Sequence, residues 1–407
     1  MDLRQLKNKK FYFIMAGVFI LIYILQNVNG RFGLCDFEVY YSAARNLIHG
    51  KDIYGIAFGE PSGFFKYSPT SVFLFIPFVF LPFFAAKTVY FFIVGLFIVL
   101  VIEKIIRLLK EYLGLNEIHE TKLKIFILLI AGIHFHRELH VGNINVILIF
   151  IVLSVLALLL KEKKIAASML IGLAIIIKPH FVLLLPLLLI RKDIRTFVLS
   201  IFFTFIYLTI PSLFFGMAKN INLLVEWKNA MAEHNSAEGL VQYTTTLHHA
   251  FYYSIGKYFL GTNYTMVAVL VTSVVALGVL VLILTNYQKE NKDKEMAKRN
   301  FIYEFILIMA LIPSITKTDT EHFLFSIPLI MYILTMLTQK VIKSKVILVA
   351  AIIGFLMYGG KESNLLGNHF AEIAANIGII GLGNLWLIIV SLVIFLQRNK
   401  YLEPVKE

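Results

Sequence analysis

Charge is scarce in this chain, since Asp, Glu, Lys and Arg make up 15% of its 407 residues, whereas soluble domains carry about a quarter. Cysteine is scarcer still, because Cys35 is the only one, so an internal disulfide is excluded. The sequence also lacks a Walker loop, a dinucleotide-binding glycine pattern and a nucleophile elbow. These absences argue against a soluble nucleotide-dependent enzyme, a serine hydrolase and a disulfide scaffold.

Apolar sequence is what the chain has in abundance: 59% of its residues are hydrophobic, and the mean hydropathy is +0.80. Apolar runs of roughly 18 or more residues recur from end to end, which is typical of membrane-spanning helices. No polar stretch exceeds about 50 residues, and no internal repeat is visible. The sequence therefore predicts an all-α polytopic membrane protein in which residues 1–407 form a single integral membrane domain.

The formal net charge of +13 is distributed in short basic clusters beside the apolar runs. This is the pattern that the positive-inside rule produces, so the clusters indicate topology and do not predict nucleic-acid binding. The clusters lie at residues 4–10, 161–164, 191–195, 288–299 and 339–345.

Placing the basic clusters in the cytoplasm predicts about 11–13 transmembrane helices, several of them too short to span without local thinning of the bilayer. The first helix, at about 11–28, places residues 29–69 outside as the first external loop. A second large external stretch covers 215–264, and a shorter one covers 359–370. The C-terminal segment 397–407 returns to the cytoplasm.

The stretch 70–140 allows two topologies. Residues 70–109 could form two helices with a bend near Leu81, which would place the basic segment 104–124 outside. Alternatively, one crossing and a re-entrant piece would keep that segment inside.

The first external loop carries Asp36 and Glu38. A carboxylate beside a spanning helix can accept a proton from a hydroxyl group at the membrane surface. Asp36 could instead cap the helix that follows it, and the two carboxylates could begin a metal site, although no histidine is near enough to complete it. Residues 37–48 have an apolar stripe that suits an amphipathic helix on the membrane surface, and His49-Gly50 supplies its stop.

Further ionisable residues interrupt the apolar sequence at 134–140, where three histidines precede the Gly-Asn-Ile-Asn block at 142–145. They could bind zinc or form an ordinary polar loop at the interface. Lys178-Pro179 lies within another apolar run. A helix break beside a cation suits an anion such as a lipid phosphate, but a short hairpin with Lys178 at the membrane interface would explain it equally well.

Two stretches are predicted to share the membrane face of Asp36. Residues 316–322 bring Lys317, Asp319, Glu321 and His322 to that face, although a simple polar loop is an alternative. The external stretch 226–253 contains Trp227, tyrosines and His248-His249. Such aromatic residues can anchor a protein at the interface or stack on sugars.

Five sequence blocks, taken in order, resemble glycosyltransferase family 87, whose members are polytopic enzymes of the GT-C fold. The first reads Asp-Phe-x-Val-Tyr-Tyr-x-Ala-Ala-x-x-Leu-x-x-Gly-x-x-x-Tyr. The resemblance runs from about residue 33 to about residue 335. The blocks are Asp36 to Tyr54, Phe65 to Pro69, Phe78 to Pro82, Gly142 to Asn145, and Gly172 to Pro179.

This resemblance implies a GT-C-like bundle that transfers a sugar, usually mannose, from a polyprenyl-phosphate donor to a lipid or glycan acceptor. The reaction is expected at the outer face of the bacterial cytoplasmic membrane, with no cofactor and no metal. The family's catalytic acid corresponds to Asp36, and a donor-phosphate contact corresponds to His322. The chain departs from the family at Asn143, where glutamine is common, and at Glu321-His322, where two histidines are common. These departures leave the identity of the sugar open.

The resulting prediction is a mannosyltransferase-like membrane enzyme of the cell envelope with Asp36 as general base. Alternatives are a transporter or flippase for lipid-linked sugars or other solutes, and a non-catalytic scaffold. A transporter would normally show repeats and charges at the bilayer midplane, and neither is visible in the sequence. The substrate-binding residues predicted are Lys66, Tyr67, Arg137, Asn145, Lys178, His249, Glu321 and His322.

Overall fold

The protein is almost entirely helical. The computed structural model describes residues 3–59, 63–113, 117–289, 293–317, 319–360 and 367–398. Helices make up 83% of it, and the extended pairing among the described residues is one isolated antiparallel bridge between Ala57 and Phe64. The prediction of an all-α polytopic membrane protein is thereby confirmed.

The helices are numbered here in chain order. The first half of the chain contains α1 (Leu3–Val28), α2 (Cys35–Ile48), α3 (Ile76–Val79), α4 (Phe83–Leu113), α5 (Glu117–Ile130), α6 (Gly132–Val141), α7 (Asn145–Leu160), α8 (Lys164–Ile177), α9 (Leu184–Ile190) and α10 (Ile194–Thr209). The second half contains α11 (Ser212–Phe215), α12 (Met217–His234), α13 (Ala237–Gln242), α14 (Leu247–Phe251), α15 (Lys257–Leu260), α16 (Tyr264–Lys289), α17 (Lys294–Ile315), α18 (Ile327–Thr338), α19 (Lys345–Gly359), α20 (Asn368–Asn376) and α21 (Ile379–Arg398).

Six of the described helical segments are long and apolar enough to cross a membrane, and α6 with α7, bent by 116°, would make a seventh. They therefore account for about half of the 11 to 13 predicted spans. The other apolar helices, such as α8 and α19, have 10 to 17 residues and would cross fully only where the bilayer is thin or neighbours cover them.

Residues 70–140 adopt the one-crossing arrangement. A 3₁₀ helix, Pro69–Leu74, and the four-residue α3 precede the predicted break near Leu81. The 31-residue α4 then provides the one helix of this stretch that is long enough to span by itself. Proline lacks the backbone donor that a continuous helix needs, so Pro69, Pro77 and Pro82 divide the region before α4 into short pieces.

The segment 164–193 is a helical hairpin. Lys178 is extended, with φ −131° and ψ 106°, and interrupts the chain between α8 and a 3₁₀ turn, Pro179–Leu183, that leads into α9. Lys164 Nζ donates to Asp193 Oδ1 over 3.1 Å, so the two ends of the hairpin lie on one side. Its tip is buried, because Lys178 is only 5% exposed. The short hairpin of the alternative interpretation is therefore present, and protein encloses Lys178 at its tip.

Helix α2 has the predicted bounds to within two residues, and its stop at His49-Gly50 is present, with Gly50 at φ +70°. Its apolar face is covered by protein, however. The ring of Phe37 stacks on that of Tyr90 in α4, with centroids 4.4 Å apart, and Tyr40 contacts Phe75. This packing corrects the expectation that α2 lies on the membrane surface, and it fixes the position of Asp36.

The centre of the bundle is the segment Thr320–Thr338, of which 83% is buried, whereas α1 and α16 are only 17% buried and face outward. The 3₁₀ helix Thr320–Ser326 and α18 form this central segment. The predicted polar loop 316–322 therefore leads directly into the most enclosed part of the molecule.

The 359–370 and 397–407 segments of the predicted topology fall partly outside the described residues, as does part of the basic cluster 288–299.

Candidate active site

A cavity of about 400 Å³ lies where α2, the segment before the first 3₁₀ helix, the tip of the α8–α9 hairpin, α12 and the 316–322 segment meet. Its lining is unusually polar for the core of a membrane protein, where buried ionisable groups are costly and face cavities or one another. The polar and aromatic residues of the lining are Asp36, Tyr40, Lys66, Tyr67, Asn143, Lys178, His180, His234, Asn235, Tyr243, Thr316, Lys317, Asp319, Glu321 and His322.

Asp36 lies in the first turn of α2 but does not cap it. The helix is preceded by Leu34 in a left-handed conformation, with φ 52°, and no side chain caps it. Among the described residues, the hydrogen-bond partner of the Asp36 carboxylate is Asn143, whose Nδ2 donates to Oδ2 over 2.6 Å. Asn143 Oδ1 accepts from the Ile144 amide over 2.7 Å, which holds the amide group in that orientation. The capping alternative is therefore wrong.

The Gly-Asn-Ile-Asn block brings Asn143 to Asp36 through Gly142. Gly142 ends α6 with φ +69°, and a Cβ there would lie 3.1 Å from the side chains of Leu34 and Phe37. A glycine is needed for both reasons.

Burial raises the pKa of Asp36 to about 6, and the nearby Glu321 carboxylate acts in the same direction. The Asn143 hydrogen bond and the Lys178 charge oppose the rise. A carboxylate with such a pKa is ionised at neutral pH, yet it is more basic than a solvent-exposed aspartate. These are the properties required of a general base.

Lys178 is held by a buried polar network. Its Nζ donates to Asn145 Oδ1 over 2.6 Å and to His322 Nε2 over 2.8 Å. Asn145 Nδ2 in turn donates to Glu138 Oε2 over 3.0 Å, and the other Glu138 oxygen accepts from the Val146 amide. These hydrogen bonds fix the position of the Lys178 ammonium group in the cavity wall.

The network continues through the other ring nitrogen of His322, Nδ1. Since Nε2 accepts from Lys178, the ring proton is on Nδ1, which lies 3.3 Å from Glu321 Oε1. Arg137 Nε lies 3.7 Å from Glu321 Oε2. Among the described residues, Glu321 Oε2 and His322 Nδ1 are buried without a hydrogen-bond partner. The 316–322 segment is therefore more than a simple polar loop, because two of its polar groups are buried and unsatisfied beside the cavity.

Aromatic residues hold the Lys66-Tyr67 segment in place. The hydroxyl groups of Tyr40 and Tyr67 lie 2.8 Å apart, and Tyr54 donates to the Tyr67 carbonyl over 2.7 Å. Trp227 Nε1 donates to the Lys66 carbonyl over 3.1 Å. Burial lowers the pKa of Lys66. These contacts connect the first external loop to α12, so both large polar stretches contribute to one site.

The opposite wall comes from α12, the turn after α13 and the segment before residue 320. Tyr243 donates to Asp319 Oδ1, and Lys317 Nζ lies 5.5 Å from the centre of the Tyr243 ring. Burial, together with the charges of Lys66 and Lys317, lowers the pKa of His234 to about 3, so its ring is neutral.

The structure brings most of the predicted site residues together. Asn145 and Arg137 lie behind the wall and contact residues that line the cavity. His249 does not belong to this group, because its ring centre lies 4.4 Å from that of Tyr253 and its Nδ1 lies 3.0 Å from the Val241 carbonyl. The placement of His249 in the site is corrected: the 215–264 stretch folds into short helices that turn this ring away. The predicted residues that line the cavity are Asp36, Lys66, Tyr67, Lys178, Glu321 and His322.

Several residues in and behind the cavity wall were not predicted as site residues. Asn143, which lines the cavity, and Glu138, which lies behind its wall, had a detectable signal, because both are polar residues at the start of an apolar run. His234 and Tyr243 lie in the 226–253 stretch that was predicted to share the membrane face of Asp36, but only tertiary packing selects these two residues for the cavity.

The histidines at 134–140 do not converge on one point. His134 places its two ring nitrogens 2.6 Å and 2.9 Å from the carbonyls of Thr320 and Tyr358, while the rings of His136 and His140 stack at 6.1 Å. Within the described part of the chain, no group of three or more His, Cys, Asp or Glu side chains could hold a metal ion.

Comparison with known protein families identifies a match that covers most of the chain. The family model described as glycosyltransferase family 87 matches residues 64–312, which is more than half of the chain. Lys66, Tyr67, Asn145 and Lys178 fall inside the matched region, whereas Asp36 and His322 fall outside it. No curated protein matches the chain.

Proposed function

We propose a function from one premise: the chain belongs to glycosyltransferase family 87. It is a membrane glycosyltransferase. We propose that it transfers a hexose, mannose, from a polyprenyl-phosphate donor to a lipid or glycan acceptor. The reaction takes place at the outer face of a bacterial cytoplasmic membrane, with Asp36 as general base and with Lys178 and His322 as contacts of the donor phosphate.

One observation carries this proposal: a basic carboxylate and a buried ammonium group line the same small cavity. Asp36 is on one wall, and Lys178, hydrogen-bonded to His322, is on another. Sugar transfer from a lipid phosphate needs both groups, because the acceptor hydroxyl must lose a proton while the departing phosphate gains negative charge.

In the proposed step, Asp36 takes the proton of the acceptor hydroxyl as its oxygen bonds to the anomeric carbon of the donor. The bond between that carbon and the phosphate oxygen breaks, and its electron pair leaves with the phosphate. Asn143 occupies Oδ2 of Asp36, so Oδ1 is available to the acceptor. The proton then passes from Asp36 to solvent. A positioned base of this kind contributes about 10² to 10⁴ in rate.

Stabilisation of the leaving group is assigned to Lys178 and His322. The phosphate changes from a monoanion to a dianion as it departs, and a fixed cation at that position stabilises the transition state more than the bound substrate. The Asn145 and Glu138 contacts hold Lys178 in place before the donor arrives. We propose that the Lys178 ammonium group, without a resident metal, neutralises the phosphate, and that the neutral His322 ring, which accepts from Lys178, contacts it.

The outer-face location follows from the positive-inside rule. The N-terminal basic cluster lies at the start of α1, and Asp36 follows the other end of that helix. This arrangement supports the proposal that the cavity is on the side of the membrane opposite the N-terminal basic cluster.

The test uses the purified full chain in lipid nanodiscs, supplied with radiolabelled polyprenyl-phosphate mannose and a membrane lipid extract. Label is expected to move to an acceptor lipid or glycan. Transfer from a nucleotide sugar, with none from the polyprenyl donor, would contradict the donor assignment. Movement of the intact labelled lipid across sealed vesicles without transfer would favour a flippase.

A further inference from the structure

A second cavity, of about 710 Å³, lies beside the proposed catalytic cavity. Lys66, His234 and Lys317 line both, so the two spaces share a wall. The second cavity is formed between the first external loop and α12. Its other lining residues are Asp52, Tyr54, Gly55, Phe64, Phe65, Glu226, Asn229, Ala230 and Glu233.

The two cavities differ in their cations. Each has three carboxylates in its described lining, but Lys178 lines the catalytic cavity alone, so the second cavity, with Asp52, Glu226 and Glu233, has one cation fewer. Within the described lining of the second cavity, the cations are the two lysines of the shared wall, since the ring of His234 is neutral. A phosphate group placed away from that wall would face carboxylates, so this space does not suit the donor phosphate.

Two features suit a carbohydrate. Glu226 Oε2 is buried without a hydrogen-bond partner among the described residues, and such a group is costly unless a ligand donor meets it. Phe64 is 42% exposed and offers an aromatic surface beside the carboxylates and the Asn229 amide. Sugars pair donor hydroxyls with carboxylates, and their C–H faces pack on aromatic rings.

Hydrogen bonds also connect the second cavity to Lys66 and Tyr67, which line the catalytic cavity. Tyr54, which lines it, donates to the Tyr67 carbonyl, and Trp227, beside Glu226 in α12, donates to the Lys66 carbonyl. A molecule held there could therefore present a hydroxyl group across the shared wall toward Asp36.

We infer that this second cavity is the acceptor subsite and that it takes a sugar ring without negative charge, either neutral or cationic. The inference rests on the proposed function, because it identifies the class of acceptor for that reaction. Uronic acids and phosphorylated sugars are disfavoured by the three carboxylates, whereas neutral hexosides and amino sugars find hydrogen-bond acceptors.

The inference is tested by saturation-transfer NMR on the full chain in nanodiscs. The probes are methyl α-mannoside, methyl α-glucosaminide and methyl α-glucuronide, each at millimolar concentration. Saturation transfer is expected to the first two, with the glucuronide bound at least about tenfold more weakly because of like-charge repulsion. Equal binding of the glucuronide, or no binding of any probe, would overturn the inference.

Substitutions in the second cavity test whether the bound glycoside lies there. The Glu226→Gln/Glu233→Gln double variant should weaken binding of methyl α-glucosaminide by about tenfold, the magnitude of one charge-assisted hydrogen bond. Phe64→Ala should also weaken it by about tenfold, because the aromatic surface is lost. Glu238→Gln is the matched control, since Glu238 is an exposed carboxylate on α13 that contacts Gln242. Thermal melting of each variant shows whether it is folded. A folded double variant that binds like the control would contradict the assignment.

Failure of this inference can be told apart from failure of the proposed function. Glycoside binding is measured without any donor, so it reports on the second cavity independently of sugar transfer in the catalytic cavity. Glycoside binding without sugar transfer from polyprenyl phosphate would refute the donor assignment alone. Transfer that proceeds while the Glu226→Gln/Glu233→Gln variant keeps its KM for the acceptor would refute the subsite alone.

Discussion

Among the buried charged residues that the structure describes, two groups are satisfied to different degrees. One is the pair Arg191 and Glu304, formed by the end of α9 and the middle of α17. The other is the cavity network around Lys178 and His322. Glu304 lies 11 residues before Ile315, the end of α17, which corresponds to about 16 Å along the helix at 1.5 Å per residue.

The Arg191–Glu304 pair is closed. Arg191 Nε and Nη2 donate to Glu304 Oε2 over 3.0 Å and 2.6 Å, and Asn286 Nδ2 donates to Oε1 over 2.9 Å. The guanidinium group also lies 5.7 Å from the centre of the Tyr287 ring. Each carboxylate oxygen therefore has a donor, and the arrangement is that of a structural ion pair.

The cavity network is open by contrast. Lys178 has hydrogen-bond partners in Asn145 and His322. Three other atoms, however, are buried without hydrogen-bond partners among the described residues: Glu321 Oε2, His322 Nδ1 and His180 Nε2. Unsatisfied buried groups in a membrane protein mark the place where a polar ligand enters. The comparison shows that burial of charge does not by itself identify a site, whereas burial of charge with unmet partners beside a cavity does.

The largest expected effect is at Asp36. Asp36→Asn should lower sugar transfer by about 10² to 10⁴, because the base is lost, while melting temperature stays unchanged or rises, because a buried charge is removed. The measurement is label transfer per folded molecule. Glu38→Gln is the matched control, since Glu38 is two residues away and lines neither of the two cavities. Near-normal turnover in Asp36→Asn would refute the assignment.

The closed pair should respond in the opposite way. Arg191→Met removes the guanidinium group that pairs with the buried Glu304 carboxylate and should destabilise the fold by about 3–5 kcal/mol. Turnover per folded molecule should not change, because the pair lies away from the cavity. Thermal melting in nanodiscs checks the first expectation. The Arg191→Met/Glu304→Leu double variant should recover most of the loss. A catalytic defect in the folded double variant would contradict the interpretation that the Arg191–Glu304 pair is structural and only the cavity network is catalytic.

The next effect is at Lys178. Lys178→Met removes the cation that is assigned to the departing phosphate and should lower kcat by about 10² to 10³, as loss of a transition-state donor does. The measurement is single-turnover transfer at saturating donor. Lys298→Met serves as control, because Lys298 lines neither cavity, is 44% exposed and pairs with Glu295 in α17. A change in donor KM with normal kcat would show that Lys178 only binds the donor.

The smallest effect is a shift in pH dependence. Since burial raises the pKa of Asp36 to about 6, transfer should fall about tenfold per pH unit below pH 6, where the base becomes protonated. The Asn143 hydrogen bond lowers that pKa, so Asn143→Leu should move this acidic limb to higher pH. The measurement is kcat/KM from pH 4.5 to pH 8. A limb that stays in place in Asn143→Leu would show that Asp36 is not the group that titrates.

Sequence reasoning recovered the parts of this site that local pattern reveals. Apolar run length predicted the helical membrane fold, and an ionisable residue within an apolar run identified Lys178 and the 316–322 segment. It did not predict that Asn143 would bind Asp36, because that contact joins residues 107 positions apart.

The errors have physical causes. The apolar stripe of α2 looks the same whether it faces lipid or protein, so its packing against Tyr90 was not predictable from its own residues. His249 was placed in the site because an aromatic external stretch suggests sugar binding, but its neighbours Val241 and Tyr253 hold it elsewhere.

The most direct measurement is an electron cryo-microscopy structure of the Asp36→Asn variant in nanodiscs loaded with polyprenyl-phosphate mannose. The phosphate is expected within hydrogen-bonding distance of Lys178 Nζ and His322, with the anomeric carbon facing residue 36 and the second cavity free for the acceptor. A lipid phosphate bound elsewhere, such as beside Arg191, with the cavity around Lys178 unchanged, would contradict the assignment of the open charge network to sugar transfer.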